Sequence, residues 1–345
     1  MALFLFITII SFVVHIIWTV PFINFLYKLK FQRADQATKD PFNTPVPLFD
    51  KFHKHKQGTP VGGGILIVIL STFLYLFFLG AFVLFNSPII SNYPSVVGEI
   101  KILLFTFISF ALLGVYDDLN KIFLVKKQQF FGLRVRHKFV IETILAFIIA
   151  FWLYSELKIN IVHIPFFGVF DLKFFYVIFA AFVIVAFANA VNITDGLDGL
   201  AGGILMIALT SFWVVARSII DVPTSLFIAI WLGGLIAFLY FNIYPARFFM
   251  GDTGALSFGA TFAVIGLILG KAFSLPIIGG IFVIEIASSA LQLWSWKYRK
   301  KKLFQAAPFH LFLQVKGWEE PKIVMRFWLL AVMFAIFGLM IGFMK

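Results

Sequence analysis

The chain has 345 residues, of which 61% are hydrophobic and only 13% charged, and its net charge is +12. A mean hydropathy of +1.00 excludes a soluble domain, and the lack of cysteine excludes disulfides and thiolate metal sites. Nucleic acid is a poor partner, because the basic residues are divided among short loops between apolar runs. Those runs fall at roughly 3–27, 62–85, 100–116, 139–155, 173–190, 200–217, 225–241, 254–271, 276–296 and 323–343, each near the ~20 residues that cross a bilayer. In lipid they must be helices, since every backbone polar group has to be satisfied internally. The reading is an all-α integral membrane protein: one polytopic domain over residues 1–345, a bundle of about ten transmembrane helices.

The first run is not a cleavable signal peptide. It has no basic segment ahead of it and no small-residue cleavage site, and Lys28, Lys30 and Arg33 follow it. Those charges place the N-terminus outside, and ten spans return the C-terminus to the same side. With this orientation 22 of the 28 Lys+Arg residues fall on the inner side, a strong positive-inside bias. The positive charge is therefore mainly a topology signal, with added attraction for anionic lipid or substrate.

The first inner loop ends in Lys51-Phe-His53-Lys54-His55-Lys56-Gln57-Gly58-Thr-Pro60, followed by Gly62-Gly63-Gly64. A basic run before glycines that open a helix can hold anionic oxygens through lysines and helix N-terminal amides. A juxtamembrane basic anchor beside helix-packing glycines is the plainer alternative. His53 and His55 lack a fixed third ligand and read as solvated.

The second inner loop opens with Asp117-Asp118-Leu-Asn-Lys121. Acids at the end of an apolar helix oppose its dipole and are costly, so they are functional candidates by default. Their mutual repulsion calls for a cation or a shared proton. Basic residues Lys126, Lys127, Arg134, Arg136 and Lys138 follow. On the outer side, 156–172 alternates polar and apolar residues around Pro165-Phe166-Phe167-Gly168 and predicts a small β-hairpin.

Asn189-Ala-Val-Asn192-Ile-Thr-Asp195-Gly-Leu-Asp198-Gly-Leu-Ala201 crowds two carboxylates, two carboxamides and a threonine between apolar runs. It reads as a short loop at the membrane border, and if Asp195 and Asp198 begin a helix they share a face. A turn that merely caps a helix needs one such residue, not five. In the fourth inner loop, Asn242 and Phe249-Met-Gly-Asp252-Thr-Gly254 put another acid just before a helix, as an N-cap or a metal ligand. The last inner loop carries Lys297, Arg299, Lys300, Lys301 and Lys302, then Pro308-Phe-His310-Leu311-Phe312 and Lys316-Gly-Trp-Glu-Glu-Pro321. Glu285 and Gln292 lie within the preceding span, where packing is the plain account of both.

Five of the sixteen acids (Asp117, Asp118, Asp195, Asp198 and Asp252) thus fall at one membrane face in three loops, among basic residues. Hard oxygen ligands without thiols suit Mg²⁺, commonly held by one or two carboxylates plus substrate phosphates. Mg²⁺ between a diphosphate and an attacking oxygen is the usual arrangement for phosphoryl transfer. The residues alone give a membrane enzyme that acts on a phosphorylated substrate at the cytoplasmic surface.

Asp117-Asp118, the 189–201 stretch and Phe249–Gly254 resemble the polyprenyl-phosphate N-acetylhexosamine-1-phosphate transferases. Within that family, Gly58-Thr-Pro60, Lys316–Pro321 and Arg326-Phe-Trp328 are similar to the branch that handles phospho-N-acetylmuramoyl-pentapeptide. The likeness covers nearly the whole chain, and the family's ten-helix fold agrees with the hydropathy count.

The resemblance implies attack of undecaprenyl phosphate on UDP-N-acetylmuramoyl-pentapeptide (UDP-MurNAc-pentapeptide). Lipid I and UMP would form, with Mg²⁺, at the cytoplasmic face of a bacterial inner membrane, as the first membrane step of peptidoglycan synthesis. It implies Asp252 as the Mg²⁺ ligand, Asp117 as the residue that deprotonates or positions the lipid phosphate, and Asp118 beside it. Asn192, Asp195 and Asp198 would shape the nucleotide side, with Asn242 and Phe249 near the nucleoside and Gln292 among the substrate contacts. Lys56, Lys121, Lys138 and His310 would contact phosphates or sugar.

The family pattern has three consecutive histidines where this chain has His310, Leu311 and Phe312. Gln57 stands in place of a lysine, and Val61-Gly62 in place of Thr-Met. These departures fall on the sugar and peptide contacts rather than the metal site. A sibling enzyme for another UDP-sugar, such as UDP-N-acetylglucosamine, and an ion-coupled transporter are the competing readings. Transporters place such acids near the midplane rather than in loops at one face. A homodimer is compatible with the sequence, which carries no signal for it.

Overall fold

The computed structural model describes residues 1–32, 56–124 and 135–344. Lys51 to His55, Lys126, Lys127 and Arg134, singled out above for their charge, lie outside the described residues. Long helices run over Ala2–Lys28 (α1), Gly63–Leu84 (α2), Val96–Leu119 (α3), Val135–Ser155 (α4), Phe175–Thr194 (α5), Leu200–Ser218 (α6), Val222–Asn242 (α7) and Gly251–Ile268 (α8). A short turn Leu275–Ile278 (α9) leads into Gly280–Arg299 (α10), and Phe309–Val315 (α11) precedes Glu320–Phe343 (α12). Each apolar run of the sequence thus becomes a helix.

Among the described residues, nine of these helices are long and apolar enough to cross a membrane. The expected tenth, α10, is long enough but falls short in apolarity. Glu285, Gln292, three serines and the terminal Lys297 and Arg299 give it a polar side, and many of its residues beyond Phe282 are exposed.

Elements that cross the sequence at long range pair at two opposite ends. At one end Gln32 bridges Pro60, Val61 bridges Phe249, and Lys56 reaches Asp198 and Glu320. At the other, Val222 N donates to Ile90 O, the Asn92 amide to Ile219 O, and Lys271 Nζ to Gly342 O. Successive loops therefore alternate between ends, as membrane-crossing helices require. The far end also carries the expected hairpin, with Ile161–Ile164 (β1) antiparallel to Gly168–Asp171 (β2) and Ile161 opposite Asp171.

The centre is occupied by α7 and α8, whose spans are 94% and 89% buried, against 28% for α1 at the periphery. An aromatic cluster fixes their crossing with α3: Phe107 lies 5.4 Å from Trp231 and 5.7 Å from Phe258, and Trp231 is 5.2 Å from Phe258. Edge-to-face and offset pairs at such spacings add to the gain from burial. Near the first end α3 and α8 approach closely, because a Cβ on Gly114 would meet the Asp252 carbonyl at 2.4 Å. This glycine brings the carboxylates at the end of α3 against the start of α8.

Candidate active site

The end of α3 continues as a π-helical turn, Asn120–Leu124. Adjacent residues on a helix point about 100° apart, so Asp117 and Asp118 diverge. Asp118 turns toward the first turn of α8. Its Oδ1 accepts from Asp252 N at 3.0 Å, and its Oδ2 accepts from Thr253 N at 3.0 Å and Thr253 Oγ1 at 2.8 Å. It satisfies otherwise orphaned helix donors and places a negative charge at the positive end of the dipole. Gly251 is required here: its φ is +77°, and a Cβ would meet Asp118 Oδ2 at 2.7 Å. Asp252 is accordingly not the N-cap but a first-turn residue, capped from another helix.

Asp117 points instead into a four-charge centre. Lys121, one turn on, has Nζ 3.0 Å from Asp117 Oδ2 and 2.9 Å from Asp252 Oδ1. Lys138 of α4 donates to Asp117 Oδ2 at 3.1 Å and makes a close pair with Asp252 Oδ2. Two carboxylates and two ammonium groups from α3, the π-turn, α4 and α8 thus balance in charge. The lysines supply the cations that the crowded acids call for. Glu142, one turn after Lys138, is buried and accepts from the Asn189 amide at 2.6 Å. Sequence reading missed it, although its i, i+4 spacing from Lys138 was a usable signal.

A second centre lies around the turn after α5. That helix continues to Thr194, so Asn189 and Asn192 are helical rather than in a loop, and the turn is confined to 195–199. Asp195 ends α5 and Asp198 lies within the turn. They do not open a helix together, because α6 starts only at Leu200, after Gly199 at a φ of +77°. Half-buried Asn192 and Asp195 lie one turn apart at the end of α5.

Lys56 Nζ is 2.7 Å from Asp198 Oδ1 and 2.6 Å from Glu320 Oε1, and all three side chains are buried. Glu320 Oε1 also accepts from Asp198 N at 2.6 Å, and Asp198 Oδ2 accepts from Ala246 N at 2.9 Å. Lys56 lies 5.9 Å from the centroid of the Phe249 ring. The Asn242 carboxamide braces the turn to the fourth loop, accepting from Gly199 N at 3.0 Å and donating to Phe248 O at 2.9 Å. Trp328 Nε1 donates to Gly199 O at 3.2 Å. Neither Glu320 nor Trp328 had been given a role, although both lie in motifs noted in the sequence.

His310 joins this centre from α11, buried, with Nε2 facing the turn: a Cβ on Gly196 would meet it at 2.5 Å. Leu311 is buried, and Phe312 stacks on Phe309 at 6.0 Å. Gln292 stands apart from both centres. Its Oε1 accepts from Leu303 N and Phe304 N, and its Nε2 donates to Phe304 O, so its carboxamide braces the 303–304 loop.

The glycines after Pro60 correct another expectation. The N–H groups of Gly62 and Gly63 donate to Phe249 O, and that of Gly64 to Met250 O, so they are not presented to a ligand. These glycines serve packing and strand-like pairing. Among the described residues no group of three or more His, Cys, Asp or Glu side chains could by itself hold a metal ion. The pair able to contribute oxygens to a hard cation is Asp117 and Asp252.

Residues 100–270, from α3 to the end of α8, match the glycosyl transferase family 4. The helices that carry the charged centre thus lie within a segment that matches a family of glycosyl transferases. Over 329 residues the chain is 37% identical to the phospho-N-acetylmuramoyl-pentapeptide-transferase of Caldanaerobacter subterraneus subsp. tengcongensis, covering 95% of each chain. It is also 37% identical over 335 residues to the enzyme of that name from Rickettsia prowazekii, covering 90% of this chain and 86% of the other, and 36% identical over 334 residues to that of Rickettsia massiliae, with the same coverage. The chain belongs to the phospho-N-acetylmuramoyl-pentapeptide-transferase family.

Proposed function

We propose that this protein transfers phospho-N-acetylmuramoyl-pentapeptide from its UDP carrier to undecaprenyl phosphate, with Mg²⁺, at the cytoplasmic face of a bacterial inner membrane. An oxygen of the lipid phosphate attacks the sugar-linked β-phosphorus, the bond to the α-phosphate breaks, and UMP leaves as lipid I forms. The observation that carries the reading is the convergence of Asp117, Lys121, Lys138 and Asp252 from four elements at one membrane end. The skew of 22 of the 28 Lys+Arg residues toward that end supports its cytoplasmic placement.

Mg²⁺ suits this donor set. Asp117 and Asp252, in a centre where no group of three acids among the described residues is placed to hold a metal by itself, match an ion that takes one or two protein carboxylates and completes its shell with substrate phosphates and water. When bound by Asp252, with Asp117 beside it, the ion supplies charge stabilisation for the diphosphate. Lys121 and Lys138 bind phosphate oxygens and hold Asp117 and Asp252 in place between substrates. Asp117 positions the attacking phosphate and takes its proton. Asp118 acts at one remove by fixing the turn that carries Asp252. Lys56, Asp198, Asn242 and Phe249 form the nucleotide side, with Asn192 and Asp195 at its rim and His310 toward the sugar.

The test is UMP release by purified protein given undecaprenyl phosphate, Mg²⁺ and a panel of UDP-sugars. Turnover with UDP-MurNAc-pentapeptide and little with UDP-N-acetylglucosamine is expected. The reverse preference would assign the sibling reaction, and no UMP from any donor would return the transporter reading.

A further inference from the structure

Glu285 lies on α10 with its side chain fully buried. Its Oε2 is 3.0 Å from His310 Nδ1, and its Oε1 accepts from His310 N at 3.1 Å. His310 N is a first-turn donor of α11, which begins at Phe309 after Pro308. One carboxylate therefore grips both the backbone and the ring of a single residue. Among the described residues the His310 ring is the one side chain within hydrogen-bonding distance of this carboxylate.

A buried carboxylate is costly unless its oxygens are matched, and packing alone would be served better by an apolar side chain of the same volume. Packing therefore does not account for the choice of glutamate. A carboxylate that accepts from Nδ1–H fixes both the tautomer and the plane of an imidazole, leaving Nε2 for other work. Here Nε2 faces Gly196, in the turn between Asp195 and Asp198.

We propose that Glu285 is a positioning residue that fixes His310 with Nδ1 protonated and Nε2 directed at the nucleotide-sugar side of the site. The assignment rests on the transferase reading for its consequence in turnover, though not for the geometry. α10 and α11 thereby meet the 195–199 turn through one histidine edge, and the glutamate sets which edge that is.

Two measurements test it. The first is a double-mutant cycle of Glu285→Gln and His310→Ala, read as kcat and KM for UMP release. Glu285→Gln should lower kcat roughly 10- to 100-fold, the size common when the group that orients a functional histidine is removed. KM for the UDP-sugar should change little. In the His310→Ala background the same substitution should change kcat less than about twofold, since a positioning residue has nothing left to position. Equal losses in both backgrounds, or wild-type kcat in Glu285→Gln, would overturn the proposal. Should Glu285→Gln not fold, Glu285→Asp, which keeps the charge but is one methylene short, enters the same cycle with the same criterion.

The second measurement needs no turnover. In nitrogen-15 histidine spectra the His310 resonance is identified by its loss in His310→Ala. It should show protonated Nδ1 in wild type and a redistribution toward the Nε2–H form in Glu285→Gln. An Nε2–H tautomer in wild type would overturn the proposal even if the protein releases UMP. A wild-type protein inactive on every UDP-sugar but with protonated Nδ1 would sink the transferase reading while leaving the Glu285 assignment standing.

Discussion

Asp118→Ala separates the scaffold of the charged centre from its chemistry. The wild-type carboxylate accepts three hydrogen bonds, from Asp252 N, Thr253 N and Thr253 Oγ1, at 2.8 to 3.0 Å, and is itself buried. Alanine leaves both backbone donors without an acceptor in a site of low water access, and each buried unsatisfied donor costs ~1–3 kcal/mol. Loss of a negative charge at the positive end of α8 adds ~0.3–1 kcal/mol. The Thr253 hydroxyl can rotate toward another acceptor, so the total falls at ~3–5 kcal/mol. The assay is unfolding of the detergent-solubilised protein followed by tryptophan fluorescence, with UMP release on the same preparations. Asp118→Ala should unfold well below wild type and also lose turnover, because the turn carrying Asp252 is released. Asp118→Asn keeps one acceptor oxygen and should lose about half as much stability. An Asp118→Ala protein with wild-type unfolding would refute the capping role and the packing argument built on Gly114 and Gly251.

Asp252→Asn should instead cost turnover far more than stability: it leaves Lys121 and Lys138 facing Asp117 alone and so lowers the unfolding transition, while turnover at saturating Mg²⁺ falls ~10²–10³-fold in the protein that remains folded, the usual loss for one transition-state charge contact; activity within about threefold of wild type at that Mg²⁺ would end the assignment. Lys56→Met leaves Asp198 and Glu320 facing each other in a buried site, so it should cost ~3–5 kcal/mol of stability, as breaking buried ion pairs does; adding Glu320→Gln should recover part of that loss, because it removes one of the two carboxylates that the lysine holds together. Because the chain has no cysteine, single replacements label without background. Asn92→Cys should react with an impermeant reagent on intact cells and Arg247→Cys should not, both positions being exposed; the reverse pattern would place the charged centre on the outer side.

Hydropathy made the helices legible because lipid leaves apolar runs no alternative to helix. α10 was the exception in kind: its length is that of a span, but Glu285, Gln292 and Ser288 give it a polar side that lowers its mean hydropathy below that of the other nine. Asp117, Lys121, Lys138 and Asp252 could be named from charge in an apolar chain, since charges near a bilayer are rare enough to stand out. Their partnerships could not. That Asp118 turns away from Asp117 to cap α8 depends on the approach of two helices far apart in sequence, and the Gly62–Gly64 amides looked available until Phe249 and Met250 were found beside them. Glu320 was passed over for the same reason, because it meets Lys56 only when tertiary packing brings α12 against it; Glu142 stands one turn after Lys138 on the same helix, and only its bond to Asn189 needed the packing of α4 on α5. Gln292 was grouped with substrate contacts through the family resemblance, and in the fold its carboxamide holds a loop.

The most direct test of the account is the stoichiometry of the reaction in detergent, where no ion gradient exists. Purified protein supplied with UDP-MurNAc-pentapeptide, undecaprenyl phosphate and Mg²⁺ should release one UMP for each lipid-linked product formed. It should release none when the lipid phosphate is omitted or when Asp117 is replaced by Asn. UMP release that is indifferent to the lipid phosphate, or that persists in Asp117→Asn at the wild-type rate, would contradict a phosphotransfer site built on Asp117, Lys121, Lys138 and Asp252.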